Sequence, residues 1–290
     1  VIQITVTIVG GAGGKGGLDG KSWSGTVGKR GQITGTISVQ PGDTITIAVG
    51  GGGVNGQSGV GGANTIGSGS QAGTNPLSTS YNGGTGGAAG YTGGSGAGAG
   101  GGAASILHIS GRGYLVAAGA GGSSGGNNIT TTNDATRSSA VPSSVSTRTR
   151  GNASGLTGAN ASAAVNPSGG GAVDGSGSGG GGGGFNGGDS LAPAFDGVDN
   201  SEIYGYGGSA GTNSTSGLTG TFSLTSTYEL PPALLTSGCH NTTTGWSNYG
   251  CGADGSITID YAPTPTLSQT DSSTASVQST AAGTFYLVRD

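Results

Sequence analysis

Residues 1–17 read VIQITVTIVGGAGGKGG and contain, one after the other, the two patterns that recur along the chain. In the first nine residues apolar side chains at positions 2, 4, 6 and 8 alternate with polar ones, which is the period of a half-buried β-strand. The apolar residues are β-branched, as strands favour. From residue 10 onward glycine takes over, and glycine is unfavourable in a helix interior. The chain is therefore predicted to alternate between short strands and glycine-rich segments.

Six further segments have strand patterns, and none has the apolar period of 3.6 residues that an α-helix requires. They are Gln32–Val39, Thr44–Val49, Ser105–Ile109, Tyr114–Ala118, Thr221–Thr225 and Ser256–Tyr261. The predicted inward-facing side chains include Ile33, Ile37 and Val39, then Ile45, Ile47 and Val49, and finally Ile257, Ile259 and Tyr261. The fold class is predicted to be all-β, a small β-sandwich of the jelly-roll kind with essentially no α-helix.

A turn is predicted at Gln40–Asp43, where Pro41 and Gly42 occupy the second and third positions of a type II turn. Because a strand pattern precedes the turn and another follows it, Gln32–Val49 is predicted to be a β-hairpin.

Six long glycine-rich segments separate or flank the strands: 10–17, 50–62, 83–102, 119–126, 168–188 and 205–217. Polyglycine can form an extended helix of the polyproline II type, with three residues per turn and no internal hydrogen bonds. Its N–H and C=O groups must then find partners on neighbouring segments. We predict a bundle of polyglycine II helices, and the alternative is a set of disordered glycine loops.

The composition excludes several classes of protein. Glycine accounts for 71 of 290 residues, and serine and threonine together (our count) for another 74, while charged residues make up 8%. A net charge of −4 and nine basic residues offer no cationic surface for nucleic acid. No apolar run is long enough to cross a membrane as a helix. Nine prolines and no Gly-X-Y period exclude collagen.

Four motifs resemble a known family. They are Val9-Gly-Gly-Ala-Gly-Gly14, the run QPGDTITIAVGGGG at 40–53, LVAAGAGG at 115–122 and DGSITIDY at 254–261. In this order they resemble the glycine-rich domains of bacterial and phage surface proteins and adhesins. They also resemble the extracellular glycine-rich region of anaplastic lymphoma kinase-type receptors. The resemblance implies a jelly-roll-like sandwich with a polyglycine-helix bundle, in a secreted or surface-attached protein without catalytic activity.

Motifs of enzymes occur only in incomplete form. Gly11–Gly16 fits G-x-G-x-x-G but neither a following helix nor the acidic partner of a dinucleotide site is readable. Gly121–Gly125 fits G-x-S-x-G, yet neither His108 nor His240 comes with an acidic partner. His108 is interpreted as an outward-facing strand residue. No catalytic residue or cofactor is predicted, and the protein is not expected to be an enzyme.

Two sets of side chains are candidates for a metal site and a disulfide. Asp189, Asp196, Asp199 and Glu202 lie within 14 positions and offer carboxylates to calcium, with an acidic solvated loop as the alternative. Cys239 and Cys251 are the only cysteines. A disulfide between them would close a short loop, stabilise it by roughly 3 kcal/mol, and fit an oxidising extracellular compartment.

Five sequons for N-glycosylation occur, a number that chance alone explains in a chain so rich in serine and threonine. They begin at Asn128, Asn152, Asn160, Asn213 and Asn241. They are predicted to be accessible acceptors if the producing cell glycosylates the chain.

The chain is predicted to divide into a glycine-rich domain at 1–261 and a tail at 262–290, with a Ser/Thr/Asn-rich insert at 127–167. The tail starts as a Pro/Ser/Thr linker and ends in a strand pattern at 284–288, formed by Thr284, Phe285, Tyr286, Leu287 and Val288. This strand could fold back on its own sheet, begin a further domain, or pair with the sheet edge of another copy.

The leading functional hypothesis is a self-assembling subunit of an extracellular surface filament, with the terminal strand donated to a neighbouring copy. The alternative is an adhesin that presents polyglycine-helix loops to a glycan or protein receptor. Ice binding by a flat glycine face is a minor alternative. All three place the protein outside the cell, as a secreted protein, at the cell surface or in an appendage.

Overall fold

The computed structural model of the chain describes residues 2–17, 28–57, 70–89, 96–123, 125, 147–149, 174–175, 177–190, 194–195, 202–204, 207–227, 251–261, 266–269 and 275–278. These residues form an all-β structure without an α-helix, as predicted. The strands are β1 (Ile2–Val9), β2 (Arg30–Val39), β3 (Ile45–Ala48), β4 (Ser105–Ile109), β5 (Gly113–Ala117), β6 (Thr147–Thr149), β7 (Asp174–Gly175), β8 (Ala194–Phe195), β9 (Glu202–Tyr204), β10 (Asn213–Ser216), β11 (Gly220–Thr227), β12 (Ser256–Tyr261), β13 (Thr266–Gln269) and β14 (Ala275–Gln278).

Two larger sheets contain all seven predicted strands. The first is antiparallel, in the order β11-β2-β1-β12, and the second has the order β3-β4-β5-β10-β6, with β6 parallel to β10. Thr79–Tyr81 add a single 3-10 turn. Nowhere in the described ranges is there a helix of the length and apolarity that a membrane span needs.

A single hydrophobic cluster joins the two larger sheets. Its buried members are Ile4, Val6, Ile8, Ile33, Ile37 and Val39 from the first sheet and Leu107, Ile109, Leu115 and Ala117 from the second. The predicted inward faces of β1 and β2 are therefore confirmed. The sheets thus share this apolar cluster.

The predicted inward faces of two edge strands are partly wrong. In and after β3, Ile47 is 52% exposed and Val49 is 37% exposed, whereas Ala48 is buried. At the end of β12, Tyr261 is 57% exposed, while Ile257 packs against the core. Alternation identifies which side chains share a face, but only a neighbour on that face buries them, and a sheet edge has fewer neighbours.

The turn at Gln40–Asp43 is confirmed, but the hairpin predicted around it is wrong. The N–H of Asp43 donates to the carbonyl of Gln40 at 3.1 Å, and Gly42 has the positive φ of 93° that the third position of this turn requires. However, β2 already pairs with β1 and β11 on its two sides. The turn therefore carries the chain to the other sheet, where β3 pairs with β4.

Several strands have no pattern that would have predicted them. In β10 the sequence NSTS is polar, yet all four residues are buried. The insert at 127–167 supplies β6, and the tail contributes an antiparallel pair, β13 and β14, in the region predicted as a linker. Backbone pairing, which is independent of side-chain polarity, forms these strands.

Asp43 fixes the crossover turn through two interactions. The N–H of Gln40 donates to Asp43 Oδ2 at 2.9 Å, and Arg112 Nη1 from the turn between β4 and β5 lies 2.6 Å from the same oxygen. The Gln40 hydrogen bond and then Arg112 hold the pKa of Asp43 below its ordinary value of 3.8, against the opposing effect of desolvation.

We predict that Asp43→Asn lowers the unfolding temperature at neutral pH and that this difference disappears in acid. A carboxyl group whose pKa is depressed by folding contributes stability above its unfolded pKa of 3.8 and loses it as the pH falls through the folded value. Thermal unfolding followed by circular dichroism over this pH range measures it. Asp260→Asn on the exposed face of β12 is the control. A deficit in the Asp43 variant that persists in strong acid would contradict this role.

Candidate functional site

Nine segments of the described chain, most of them rich in glycine, lie beyond one end of the two larger sheets and form the most unusual part of the molecule. We name them by their described residues: segment I (10–17), II (50–57), III (70–75), IV (83–89), V (96–104), VI (118–123 and 125), VII (177–184), VIII (207–212) and IX (251–255). Segment I continues β1, segment VI continues β5, and segments V, VIII and IX lead directly into β4, β10 and β12. The sheets therefore hold the ends of these segments in fixed positions.

Segment V lies at the centre and changes its hydrogen-bond partner with a period of three residues. The N–H groups of residues 97, 100 and 103 donate to segment II, those of 98 and 101 to segment IV, and those of 99 and 102 to segment VI. All of these bonds are 2.8–3.0 Å long. Successive N–H groups of segment V therefore donate in turn to three different neighbours.

The carbonyl groups of segment V face three other neighbours. They accept from residues 11, 14 and 17 of segment I, from residues 177, 180 and 183 of segment VII, and from Gly73 of segment III. Six segments thus surround segment V, three as acceptors and three as donors. This is the number of neighbours in hexagonal packing of rods.

The six surrounding segments also bond to one another and close a ring in the order I-II-III-IV-VII-VI. Each contact repeats every third residue: residues 53 and 56 of segment II donate to 12 and 15 of segment I, and residues 119, 122 and 125 of segment VI donate to 183, 180 and 177 of segment VII. The first of these contacts is parallel and the second antiparallel. Chain direction therefore does not decide which segments can be neighbours.

Two further segments, VIII and IX, lie outside the ring, and each bonds to two neighbouring segments of it. Segment VIII bonds to segments VI and VII, through Gly208 and Gly211 as donors to segment VI and through Gly182 as a donor to segment VIII. Segment IX bonds to segments I and II, through Gly252 and Gly255 as donors to segment II. The same packing rule continues beyond the first ring.

Glycine is required at many of the positions where two segments approach each other. A Cβ built on Gly101 would overlap the carbonyl oxygen of Gly181, and one on Gly98 would overlap that of Ser178. Each of the nine segments holds at least one such glycine, at which the nearest atom to the added Cβ is a backbone atom of a neighbouring segment. Backbone cannot move aside as a flexible side chain can, so these positions exclude any larger residue.

Buried polar side chains complete the hydrogen bonding where the segments meet the sheets. Ser105 Oγ accepts from the N–H of Gly50 at 3.0 Å and donates to the carbonyl of Val9 at 2.7 Å. Asn213 Oδ1 accepts from the N–H of Ala118 at 2.8 Å, and its Nδ2 donates to the carbonyl of Thr225 at 2.9 Å. These side chains connect strands of both sheets to segments II and VI.

The prediction that Asn213 is an accessible glycosylation site is wrong. Its side chain is fully buried and bonded to three backbone groups, the third being the carbonyl of Gln32 at 3.4 Å. A glycan cannot be attached to a carboxamide in this position without opening the junction. The other four sequon asparagines, Asn128, Asn152, Asn160 and Asn241, lie outside the described residues.

The acidic calcium candidates are not brought together within the described residues. Asp189 is exposed and uses its backbone to bond Ser209, and Glu202 begins β9, while Asp196 and Asp199 lie outside the described ranges. The described part of the chain holds no cluster of three or more His, Cys, Asp or Glu side chains suited to a metal ion. The calcium site stays a prediction.

Cys251 is buried, forms a disulfide, and pairs its backbone with Val54 of segment II. Cys239, its predicted partner, lies outside the described residues, as does the predicted assembly strand at 284–288. His108 is partly exposed and stacks on Tyr114 with ring centroids 4.2 Å apart. It is a surface residue of the second sheet, held by an aromatic neighbour.

Six described residues that flank three of the gaps between segments lie at the end of the bundle far from the sheets. The hydrogen bonds of these residues and of their neighbours relate their positions to segment V. They place residues 57 and 70, 89 and 96, and 190 and 207 near the level where segment V begins. A small sheet of the order β7-β9-β8 belongs to the same end, because β7 precedes segment VII and β9 precedes segment VIII. Ile2 and Tyr261, by contrast, lie at the opposite end of the first sheet.

No model of a known protein family matches the chain, and a search of curated proteins finds no relative.

We predict that Gly101→Ala destabilises the protein by about 1–3 kcal/mol or more, because the added methyl group overpacks rigid backbone. The matched control is Gly51→Ala, where the nearest atom to the new Cβ is the carbonyl oxygen of Thr74 at 3.2 Å. Its effect is expected to stay within roughly 1 kcal/mol. Denaturant unfolding of the two variants measures the difference, and equal stability of both would refute the close packing of segment V.

Proposed function

We propose that this chain is a non-enzymatic extracellular adhesin, in which a β-sandwich carries a bundle of polyglycine II helices that presents receptor-binding residues at its far end. The observation that carries the proposal is the common position, at the end of the bundle opposite the sheets, of the described residues 57 and 70, 89 and 96, and 190 and 207, which flank the stretches 58–69, 90–95 and 191–206. The receptor is a glycan or a protein.

The polyglycine II part of the proposal is supported by the three-residue period of the hydrogen bonds. A helix with three residues per turn and about 3.1 Å rise per residue has no internal hydrogen bonds and directs each N–H group outward. The described segments bond to their neighbours with this period in both parallel and antiparallel contacts. A β-ladder, by contrast, pairs each strand with two neighbours in one plane. Six neighbours around segment V favour the helical form.

The sandwich part of the proposal is supported by the shared core of the two larger sheets. β-Sandwiches pack two sheets face to face through alternate inward side chains. Here the inward residues of β1 and β2 meet those of β4 and β5 in one cluster. The sandwich then serves as the base from which the bundle extends.

A stiff bundle suits the presentation of a binding surface. Every segment in the ring is bonded to segment V and to two further segments, so no single segment can bend alone. Binding residues on loops that a rigid scaffold positions lose less conformational entropy when they bind. Sequence changes in 58–69 and 90–95 leave unchanged the glycine positions that the described packing requires.

An extracellular location is supported by the disulfide of Cys251, since disulfides persist in oxidising compartments. The predicted filament through donation of residues 284–288 to another copy depends on residues outside the described ranges. No described contact favours it over the adhesin, and the same holds for ice binding. Both stay predictions from the sequence.

The experiment replaces connections 58–69 and 90–95 with Gly/Ser linkers of equal length. Binding of the purified protein to a glycan array and to a panel of cell surfaces is expected to be lost or strongly reduced. The bundle should remain, as circular dichroism and cooperative thermal unfolding would show. The matched control is Tyr261→Ser at the opposite end, which is expected to bind normally. Full binding by the linker variants, or loss of binding in the control, would overturn the proposal.

A further inference from the structure

Three asparagines in the chain are followed by glycine: Asn55, Asn82 and Asn186. An Asn-Gly pair is the most reactive sequence for spontaneous deamidation, because glycine has no side chain to shield its backbone nitrogen from the asparagine carboxamide. The reaction requires that the carboxamide rotate toward this nitrogen and that the N–H group be free to lose its proton. All three pairs lie in the described residues, so their surroundings can be compared directly.

Two of the pairs are protected by hydrogen bonds on both reacting groups. Asn55 Oδ1 accepts from the N–H of Lys15 at 2.7 Å, and the following N–H of Gly56 donates to the carbonyl of Lys15 at 2.7 Å. Asn82 Oδ1 accepts from the N–H of Asn75 at 2.7 Å, and the following N–H of Gly83 donates to the carbonyl of Gly73 at 3.0 Å. Reaction at either site requires that both bonds break together.

The third pair has neither protection. Asn186 and Gly187 are both partly exposed, and in the described part of the chain neither the Asn186 carboxamide nor the Gly187 N–H has a hydrogen-bond partner. The backbone of Asn186 is nevertheless fixed. Its N–H donates to Thr212 Oγ1 at 2.8 Å, and its carbonyl accepts from the N–H of Thr212 at 2.9 Å.

We propose that Asn186 is a site of spontaneous deamidation in the folded protein, and that the bundle protects Asn55 and Asn82. The Gly187 nitrogen loses its proton and attacks Cγ of Asn186, forming an N–Cγ bond and closing a succinimide ring. The Cγ–Nδ2 bond breaks and the nitrogen leaves as ammonia, taking up a proton. Water then opens the ring at either carbonyl to give aspartate or isoaspartate.

The product changes the corner after segment VII in two ways. A new carboxylate appears three residues from Asp189, and the formal net charge becomes −5, one less than the −4 of the unmodified chain. Isoaspartate also lengthens the backbone by one carbon. That insertion falls between the Asn186 bonds to Thr212 and the Gly188 N–H bond to the carbonyl of Gly182, which is 2.7 Å long. The register between this corner and segment VII is expected to loosen.

The test incubates the full chain in mildly alkaline buffer at physiological temperature and follows each Asn-Gly pair by peptide mapping and mass spectrometry. Deamidation at Asn186 is expected to be at least about tenfold faster than at Asn55 or Asn82, since the protected sites react only after local opening. The same chain in denaturant should react at similar rates at all three sites. This control separates protection by structure from the intrinsic reactivity of each sequence.

Gly187→Ala provides a second variant. Gly187 does not have a positive φ, so alanine is compatible with its backbone. Its methyl group is expected to slow the reaction at position 186 without changing the other two sites. Reaction at Asn55 or Asn82 as fast as at Asn186, or an unreactive Asn186 in the folded chain, would overturn the proposal.

Discussion

Lateral hydrogen bonding between backbones is the interaction on which the rest of this structure depends. A backbone N–H or C=O group buried without a partner costs free energy comparable to a lost hydrogen bond. Segment V buries all of its described residues, and its N–H groups from residue 97 to 103 all donate to other segments. The glycine content follows from this requirement, because a Cβ at Gly98 or Gly101 would overlap the acceptor chain. Side-chain packing stabilises the sheets, and backbone pairing stabilises the bundle.

The two parts are joined by a few polar side chains and by a small apolar cluster in which Ala48, Ile106 and Val116 of the second sheet pack with Ala104 of segment V and with Tyr81. Ser105 bonds to backbone groups of segment II and β1, and Asn213 bonds to backbone groups of segment VI and β11. Arg30 extends the same junction, donating to the carbonyl of Asp254 at 3.2 Å. Sheets that hold the segment ends in register reduce the entropic cost of aligning the bundle. The crossover turn with Asp43 and Arg112 fixes the opposite end of the sheets, so the bundle has a stable base.

The sequence predicts the strands better than it predicts their pairing. All seven strands predicted from alternation are present, and the buried faces of β1 and β2 are as predicted. An apolar period of two has this predictive value because successive side chains of a strand point to opposite faces of the sheet. It could not show that β3 joins a different sheet from β2, since pairing depends on which edges other strands already occupy. It missed β10, whose polar residues are buried by backbone pairing, and segment III, where glycine is sparse. Asn213 was predicted to be a glycosylation site because a sequon is recognised from three consecutive residues. Its burial depends on contacts with residues that are distant in the sequence, such as Gln32 and Ala118.

Native-state amide hydrogen exchange of segment V tests the central claim most directly. If lateral bonds from six neighbours hold this segment, the amides of Ala99, Gly100, Gly101 and Gly102 exchange only through global unfolding. Their opening free energies should then equal the stability from denaturant unfolding and match those of Val6 and Ile33 in the sheets. Fast exchange of these four amides in a chain whose β1 and β2 amides remain protected would contradict the account.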